Sequence, residues 1–411
     1  MLSQEENELL TRVGPGTPAG ELLRRYWQPA ALAEELPSGG APLPVRLLGE
    51  DLVLFRDQQG QPGLLGIHCS HRGADLSYGR LEDGGLRCIY HGWLYDVQGR
   101  CLEQPGEPAG STFNERIRHP AYPCREVGGM ILTYMGPGEP PVVPAYEFLM
   151  ADDEHRFNTK FFQNCNYVQG NEGNLDPTHN SFLHNFSLDD PGDGCPTLET
   201  EETEYGVRIY AIRRLGEGSA AVEDGENYVK VTNFVLPNIS TISGDRDGHG
   251  AHWHVPIDDT HHWKYHITFR RTNPVDQRAR GGGRSPLTPD YHLVRNASNR
   301  YMQDRSEMTQ SFSGIGRDFQ AQDSCVIEGA GPIQDRTQEH FGYTDRGIIA
   351  ARKALLRAIR EVQAGREAPH VIRDPNANTT FMVTARADAV PAGIHWSNYW
   401  EKGLQRATRS S

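Results

Sequence analysis

Residues 69–93 read CSHRGADLSYGRLEDGGLRCIYHGW, and this stretch decides what the first part of the chain must be. Cys69-Ser-His71 and Cys88-Ile-Tyr-His91 each pair a thiol with an imidazole, and sixteen residues separate the pairs. Two thiolates on one iron and two imidazoles on the other are the ligands of a [2Fe–2S] centre in which histidine replaces half of the cysteine. That replacement raises the reduction potential. A structural zinc site uses the same ligand types and stays open on ligand type alone. Zinc-finger spacing, however, usually groups cysteine with cysteine and histidine with histidine, whereas each half here supplies one of each.

The surroundings narrow the choice. His71-Arg-Gly-Ala and Tyr90-His91-Gly-Trp93 resemble the two cluster loops of Rieske proteins. Around them the sequence predicts short strands. Residues 44–57 alternate as a hairpin with a turn at Gly49-Glu-Asp51, and further strands are expected near 64–67, 86–90, 93–97 and 130–135, divided by glycine-rich turns. This all-β unit, residues 44–144, ends in a proline-rich stretch. Before it, residues 1–43 carry two helix-like patterns (5–12 and 21–27) broken at Gly14-Pro15-Gly16, an arm expected to pack on the rest of the chain. After it, residues 145–411 read as α+β. Helix is expected over 163–185, interrupted at Pro177, and again over 346–364. Residues 203–215, 228–243 and 251–271 predict a twisted antiparallel sheet flanked by those helices. Residues 273–290 read as a surface loop.

The 411 residues carry a net charge of −13, which argues against a nucleic-acid partner. Cys101, Cys124, Cys165, Cys195 and Cys325 are left over from the cluster, odd in number and scattered. They read as reduced thiols of a cytoplasmic protein rather than a disulfide frame. The acidic start Met-Leu-Ser-Gln-Glu-Glu-Asn has no signal-peptide pattern. No apolar run approaches the roughly 20 residues of a membrane span.

A second constellation lies at residues 172–184, Glu-Gly-Asn-Leu-Asp-Pro-Thr-His-Asn-Ser-Phe-Leu-His. It contains Asp176, His179 and His184 as D-x2-H-x4-H. Two histidines and a carboxylate with open positions form the facial triad of non-haem iron(II) oxygenases. The pattern alone is weak, because on a regular helix positions i and i+5 lie about 140° apart. The imidazoles converge only if the helix is distorted, and Pro177 supplies a cause.

Together the two patterns resemble the oxygenase α-subunit of Rieske non-haem iron oxygenases, over nearly the whole chain. Arg12-Val-Gly-Pro-Gly-Thr, Glu21-Leu-Leu-Arg-Arg-Tyr-Trp27, Val255-Pro-Ile-Asp-Asp259 and Gly331-Pro-Ile-Gln-Asp-Arg-Thr-Gln-Glu-His340 add to it, the last two pointing to the phthalate dioxygenase-like branch. The resemblance implies mononuclear Fe(II) held by His179, His184 and a distant Asp. Asp318, Asp323, Glu328 and Asp335 are candidates, and the segment Gln322-Asp323-Ser-Cys-Val-Ile-Glu328 is similar to the family's Q-D-x4-E, which selects Asp323. Asp335-Arg336 reads as a structural ion pair. Asp176 takes another role by resemblance: a carboxylate linking His179 to His91 of an adjacent subunit. Gly173 stands where some branches have Asn. The implied reaction is cis-dihydroxylation or O-demethylation of a carboxylated aromatic with O2. Electrons would come from an NAD(P)H-dependent reductase carrying flavin and ferredoxin centres, and the assembly would be a homotrimer or stacked trimers. The alternative is a Rieske electron-transfer protein, for which the large second domain is needless. The histidines of 249–266 (His249, His252, His254, His261, His262, His266) read as sheet and pocket residues rather than ligands of a further metal. Arg208 and Arg246 are candidates for a substrate carboxylate.

Overall fold

The computed structural model describes residues 1–184, 195–214, 227–244, 247–276, 285–383, 385–391 and 393–399. Strands Leu43–Leu47 and Glu50–Arg56 form the expected hairpin, but its turn falls at Leu48-Gly49, with φ of +51° and +78°. Tertiary contact decides the difference. The Leu48 amide donates to the Pro256 carbonyl and the Gly49 amide to the Ile257 carbonyl, so the turn is plugged into the second half of the chain. Leu47 and Leu48 are buried there.

Strands Pro62–Gly66 and Ala121–Tyr122 complete a four-stranded sheet with this hairpin, and Arg80–Glu82, Gly85–Arg87, Leu94–Tyr95 and Cys101–Glu103 form a second. Phe55, Leu65, Leu86, Trp93 and Tyr95 fill the core they share. The N-terminal segment is not wholly helical. Helices α1 (Gln4–Thr11) and α2 (Pro18–Leu23) lead into strand Gln28–Leu32, which pairs with Met130–Thr133.

The second half is built on one antiparallel sheet. Its strand order is 156–163, 262–270, 248–256, 239–243, 227–235, 206–214 and 197–203, with 387–390 also paired to 227–235. Helices α3 (Glu147–Met150), α4 (Tyr167–Leu175), α5 (Phe319–Gly329) and α6 (Arg346–Gln363) accompany it. A Cβ on Gly347 of α6 would meet Ile209, and one on Gly170 of α4 would meet His254 and His262, so α4 and α6 cover the same sheet face. Strand Gly248–Pro256 is buried on both faces for nearly its whole length, which places most of the histidine run inside the protein.

Helix α4 stops at Leu175. Asp176 is extended (φ −83°, ψ 113°) because the ring of Pro177 disfavours helix at the preceding residue. The chain resumes as a single turn, His179–Ser181. Arg336 is fully buried and pairs with Glu172 of α4 at 3.0 Å, not with Asp335, which accepts from the Thr337 amide. A buried guanidinium needs a buried carboxylate, and the exposed Asp335 cannot supply one. Arg352 of α6 joins the same carboxylate and also pairs with Glu339. Asn7 of α1 completes the cluster by accepting from Arg336. No cysteine is paired in a disulfide. No helix among the described residues is long and apolar enough to cross a membrane.

Candidate metal centres

The two ligand loops of the N-terminal domain are built alike. The Cys69 amide donates to the Ala74 carbonyl, and the Cys88 amide donates to the Trp93 carbonyl. The Gly73 amide donates back to the Cys69 carbonyl, and the Gly92 amide donates back to the Cys88 carbonyl. Both glycines have positive φ, +73° and +75°, which an L side chain rarely tolerates. Each loop therefore starts from a buried cysteine and presents its histidine outward. His71 is exposed, His91 is partly so, and the ring centroids are 4.4 Å apart. Trp93 stacks on His71 at 4.5 Å. Thiols inward and imidazoles outward is the division that two differently ligated irons require, so the donor set fits a [2Fe–2S] cluster. Burial raises the Cys88 thiol pKa, and cluster binding must displace that proton. The Tyr95 hydroxyl lies 3.2 Å from Cys69 Sγ and is the donor once that sulfur is a thiolate. Ile89 and Tyr90 stand exposed beside the histidines as an apolar tip.

In the second domain, His179, His184 and Asp323 bring one ligand atom each to within 4.8 Å of one another. The break at Pro177 makes this possible, since the two histidines follow the helix end rather than lie on the helix. Ligands bound at about 2.1 Å and at right angles sit about 3 Å apart. His184 Nε2 and Asp323 Oδ1 are at 2.9 Å, already at that spacing, while His179 Nε2 stands 3.9 Å from the same oxygen. The donor set fits one divalent metal with open positions. Burial holds the His179 imidazole pKa below its ordinary value, against the opposing pull of Asp323 and Asp176. Burial pushes the Asp323 carboxyl up, but its neighbours His184, His179 and Lys264 together bring it below the usual range. Neutral imidazole and ionised carboxylate are the forms that ligate.

Of the four downstream carboxylates, Asp323 alone joins the histidines. Asp318 caps α5 by accepting from the Ala321 amide, Glu328 accepts from the Tyr301 hydroxyl at 2.6 Å, and Asp335 is held at Thr337. Asp176 lies beside His179 with Oδ2 3.8 Å from Nδ1, beyond hydrogen-bond range. Its other oxygen accepts from the Thr178 amide at 2.6 Å.

A cavity of about 380 Å³ runs between α4 and α5 to this site, lined by Asp176, His179 and Asp323 and floored by Lys264. Lys264 is buried. Its ammonium touches the side-chain oxygens of Asn174 (3.4 Å) and Gln320 (3.2 Å), and burial lowers its pKa to about 8. Strand alternation puts His252, His254, His262 and His266 on the same face as Lys264. His262 Nδ1 donates to the Cys165 carbonyl, His254 Nδ1 donates to His262 Nε2 at 3.0 Å, and Asn174 donates to His254 Nε2 at 2.7 Å. Both rings stay neutral because burial drives their pKa far down, to about 3 for His262. His261 pairs with Asp258, and His249 lies on the opposite face, 3.8 Å from Glu147. Arg208 also faces away from the iron side, where Glu201, Tyr205 and Tyr210 occupy it, so it does not reach this cavity. Arg246 falls outside the described residues. Neither Lys264 nor the partner of His184, Gln322, stands out in the sequence as a site residue. A lysine on an alternating strand reads as solvent-facing until the covering helix is known.

Comparison with known proteins finds matches to both halves of the chain. Residues 26–122 match the Rieske [2Fe-2S] domain family, and residues 133–409 match the family described as LigXa C-terminal domain like. The chain is 37% identical over 396 residues to the oxygenase subunit of phthalate 4,5-dioxygenase from Pseudomonas putida, covering 90% of this chain and 88% of that one. It is 34% identical over 410 residues to the oxygenase subunit of 5,5'-dehydrodivanillate O-demethylase from Sphingobium sp., covering 96% and 89%. Among solved structures, the terminal oxygenase of carbazole 1,9a-dioxygenase from Nocardioides aromaticivorans has the same fold at 19% identity, with a TM-score of 0.60 over 87% of this chain and 98% of that one.

Proposed function

The chain belongs to the Rieske non-haem iron oxygenases, as an oxygenase subunit of the phthalate dioxygenase-like branch, and from that premise we propose how its residues divide the work. It is the oxygenase component acting on aromatic substrates. Cys69, His71, Cys88 and His91 hold the Rieske cluster, and His179, His184 and Asp323 hold mononuclear Fe(II). When bound, the cluster supplies one-electron transfer and the iron supplies oxygen activation. The convergence of three ligand atoms within 4.8 Å in a chain that also carries the cluster loops is the observation on which this rests.

The protein's own part is placement. The break after α4 aims both imidazoles at Asp323, and burial keeps His179 neutral and ready to ligate. Lys264 supports a carboxylated aromatic as substrate. It is a buried cation whose hydrogen bonds, in the cavity that reaches His179 and Asp323, go to the neutral amide oxygens of Asn174 and Gln320. A substrate carboxylate would meet it there. Cis-dihydroxylation and O-demethylation both fit such a site, as the names of the relatives illustrate.

Electrons come from a separate electron-transfer partner, since solved neighbours of this fold include oxygenase–ferredoxin complexes. An NAD(P)H-dependent reductase with flavin and ferredoxin centres fills that role. A homotrimer, single or stacked, would set the exposed His91 tip of one copy against the cavity mouth of the next, where Asp176 faces His179. The division into an arm (1–43), a cluster domain (44–144) and a catalytic domain (145–411) follows the same reading. Iron analysis with turnover tests it. About three irons per chain and coupled O2 and NADH consumption on an aromatic acid are expected. About two irons, with a Rieske spectrum and no oxygenation, would leave only the electron-transfer role.

A further inference from the structure

Gln322 is wholly buried on α5, next to Asp323. A glutamine amide does not reveal by shape which end is oxygen, so its partners must decide. One end lies 2.7 Å from the Gly316 carbonyl, which only accepts, so that end is the NH2 group. The same group donates to Ser313 Oγ at 3.0 Å. The other end is therefore the carbonyl oxygen, and it lies 2.5 Å from His184 Nδ1. A carbonyl oxygen only accepts, so His184 Nδ1 must carry the proton. In a neutral ring the free electron pair then sits on Nε2, the atom that faces Asp323 Oδ1 at 2.9 Å.

We propose that Gln322 is a positioning residue for the metal site, fixing His184 in the one tautomer whose Nε2 can ligate. This rests on the reading of His179, His184 and Asp323 as a metal centre. Successive residues on a helix point about 100° apart. Gln322 and Asp323 thus reach the His184 ring from its two ends, one side chain setting the proton and the next sharing the metal. The loop that steers Gln322 is itself tied: Gln303 donates to the Ser313 carbonyl at 2.9 Å and the Asp304 amide donates to the Gly314 carbonyl at 2.8 Å. His179 is held differently, by a hydrogen bond to the Asp176 backbone, while the Asp176 carboxylate stands 3.8 Å from its Nδ1.

The test is Fe(II) affinity of the full chain with its cluster in place, measured by chelator competition, with the cluster spectrum and melting temperature as controls of fold. Gln322→Met keeps the length of the side chain and removes the acceptor; about 10- to 100-fold weaker Fe(II) binding is expected. Gln322→Glu, whose neutral carboxyl accepts from His184 Nδ1 and donates to the Gly316 carbonyl, should recover most of that loss. Wild-type affinity in Gln322→Met overturns the proposal, as does a Gln322→Glu protein as weak as Gln322→Met, which would mean that packing alone matters. If Gln322→Met does not fold, Ser313→Ala is read by the same titration: weaker Fe(II) binding supports the proposal and unchanged binding overturns it. His179→Ala and Asp323→Ala separate the two levels. If these also bind Fe(II) as the wild type does, the metal-centre reading itself fails; if they lose it while Gln322→Met does not, only the role of Gln322 falls.

Discussion

Replacing Gly170 by alanine sets two physical effects against each other. On an exposed helix the change would stabilise by about 1 kcal/mol, because alanine loses less backbone entropy. Here the added Cβ would lie 2.4 Å from His254 Nδ1 and 2.5 Å from His262 Nε2. Both atoms belong to rings in a buried chain of hydrogen bonds, so neither can swing into solvent. Helix α4 must lift from the sheet, which costs about 1–3 kcal/mol as overpacking. Breaking the 3.0 Å bond between the two imidazoles strands a buried donor, at about 1–3 kcal/mol more. After the helix gain is subtracted, a net loss of about 1–5 kcal/mol remains, with a midpoint of about 3 kcal/mol. At about 2–4 °C per kcal/mol for a domain of this size, a loss at that midpoint lowers the melting temperature by about 6–12 °C. Because α4 ends at Leu175, four residues before His179, Fe(II) occupancy should fall too, while the cluster spectrum stays. Gly173→Ala is the control: its Cβ meets only the Ile327 side chain, at 3.2 Å, and stability should stay within about 1 kcal/mol of the wild type. Differential scanning calorimetry on both variants decides. A Gly170→Ala protein as stable as Gly173→Ala would refute the claim that α4 is held against the histidine pair.

Other consequences are open to direct measurement. Lys264 has a folded pKa of about 8 against an ordinary value of about 10.4, so between these pH values the unfolded chain holds the extra proton and stability rises with pH. The wild type should gain up to about 3 kcal/mol across that window relative to Lys264→Met in denaturant titrations; parallel curves for the two would exclude a buried charge. Glu172→Gln strands Arg336, whereas Arg352 keeps Glu339, and should cost about 3–5 kcal/mol, read as a lower melting temperature. Tyr95→Phe removes the donor to the Cys69 thiolate and should lower the cluster's reduction potential without changing its iron content; an unchanged potential in a redox titration would show that the 3.2 Å contact carries no charge stabilisation.

Much of this protein is written locally. Cys69, His71, Cys88 and His91 are legible because two short loops, each closed by a glycine, carry all four candidate ligands, and a short loop's conformation depends on its own residues. Helix α6 is equally plain from its periodicity. The sequence is weaker where an element owes its place to distant partners. The hairpin turn sits at Leu48-Gly49 because Pro256 and Ile257 receive it. Strand Thr197–Thr203, with its glutamates, does not read as a strand until Gly206–Arg214 pairs with it. Arg208 seemed suited to a substrate carboxylate, yet the register of its strand turns it to the opposite face. By itself, then, the sequence determined the ligand types, the cluster loops and the helix break that frees two histidines. The resemblance also selected Asp323; only the tertiary structure brings it to those histidines from more than a hundred residues away, sets Gln322 at Nδ1 of His184 and puts Lys264 beneath them. The reason is physical: spacing along a chain fixes which groups one loop can present, whereas convergence of remote groups is set by how the sheet and helices bury one another.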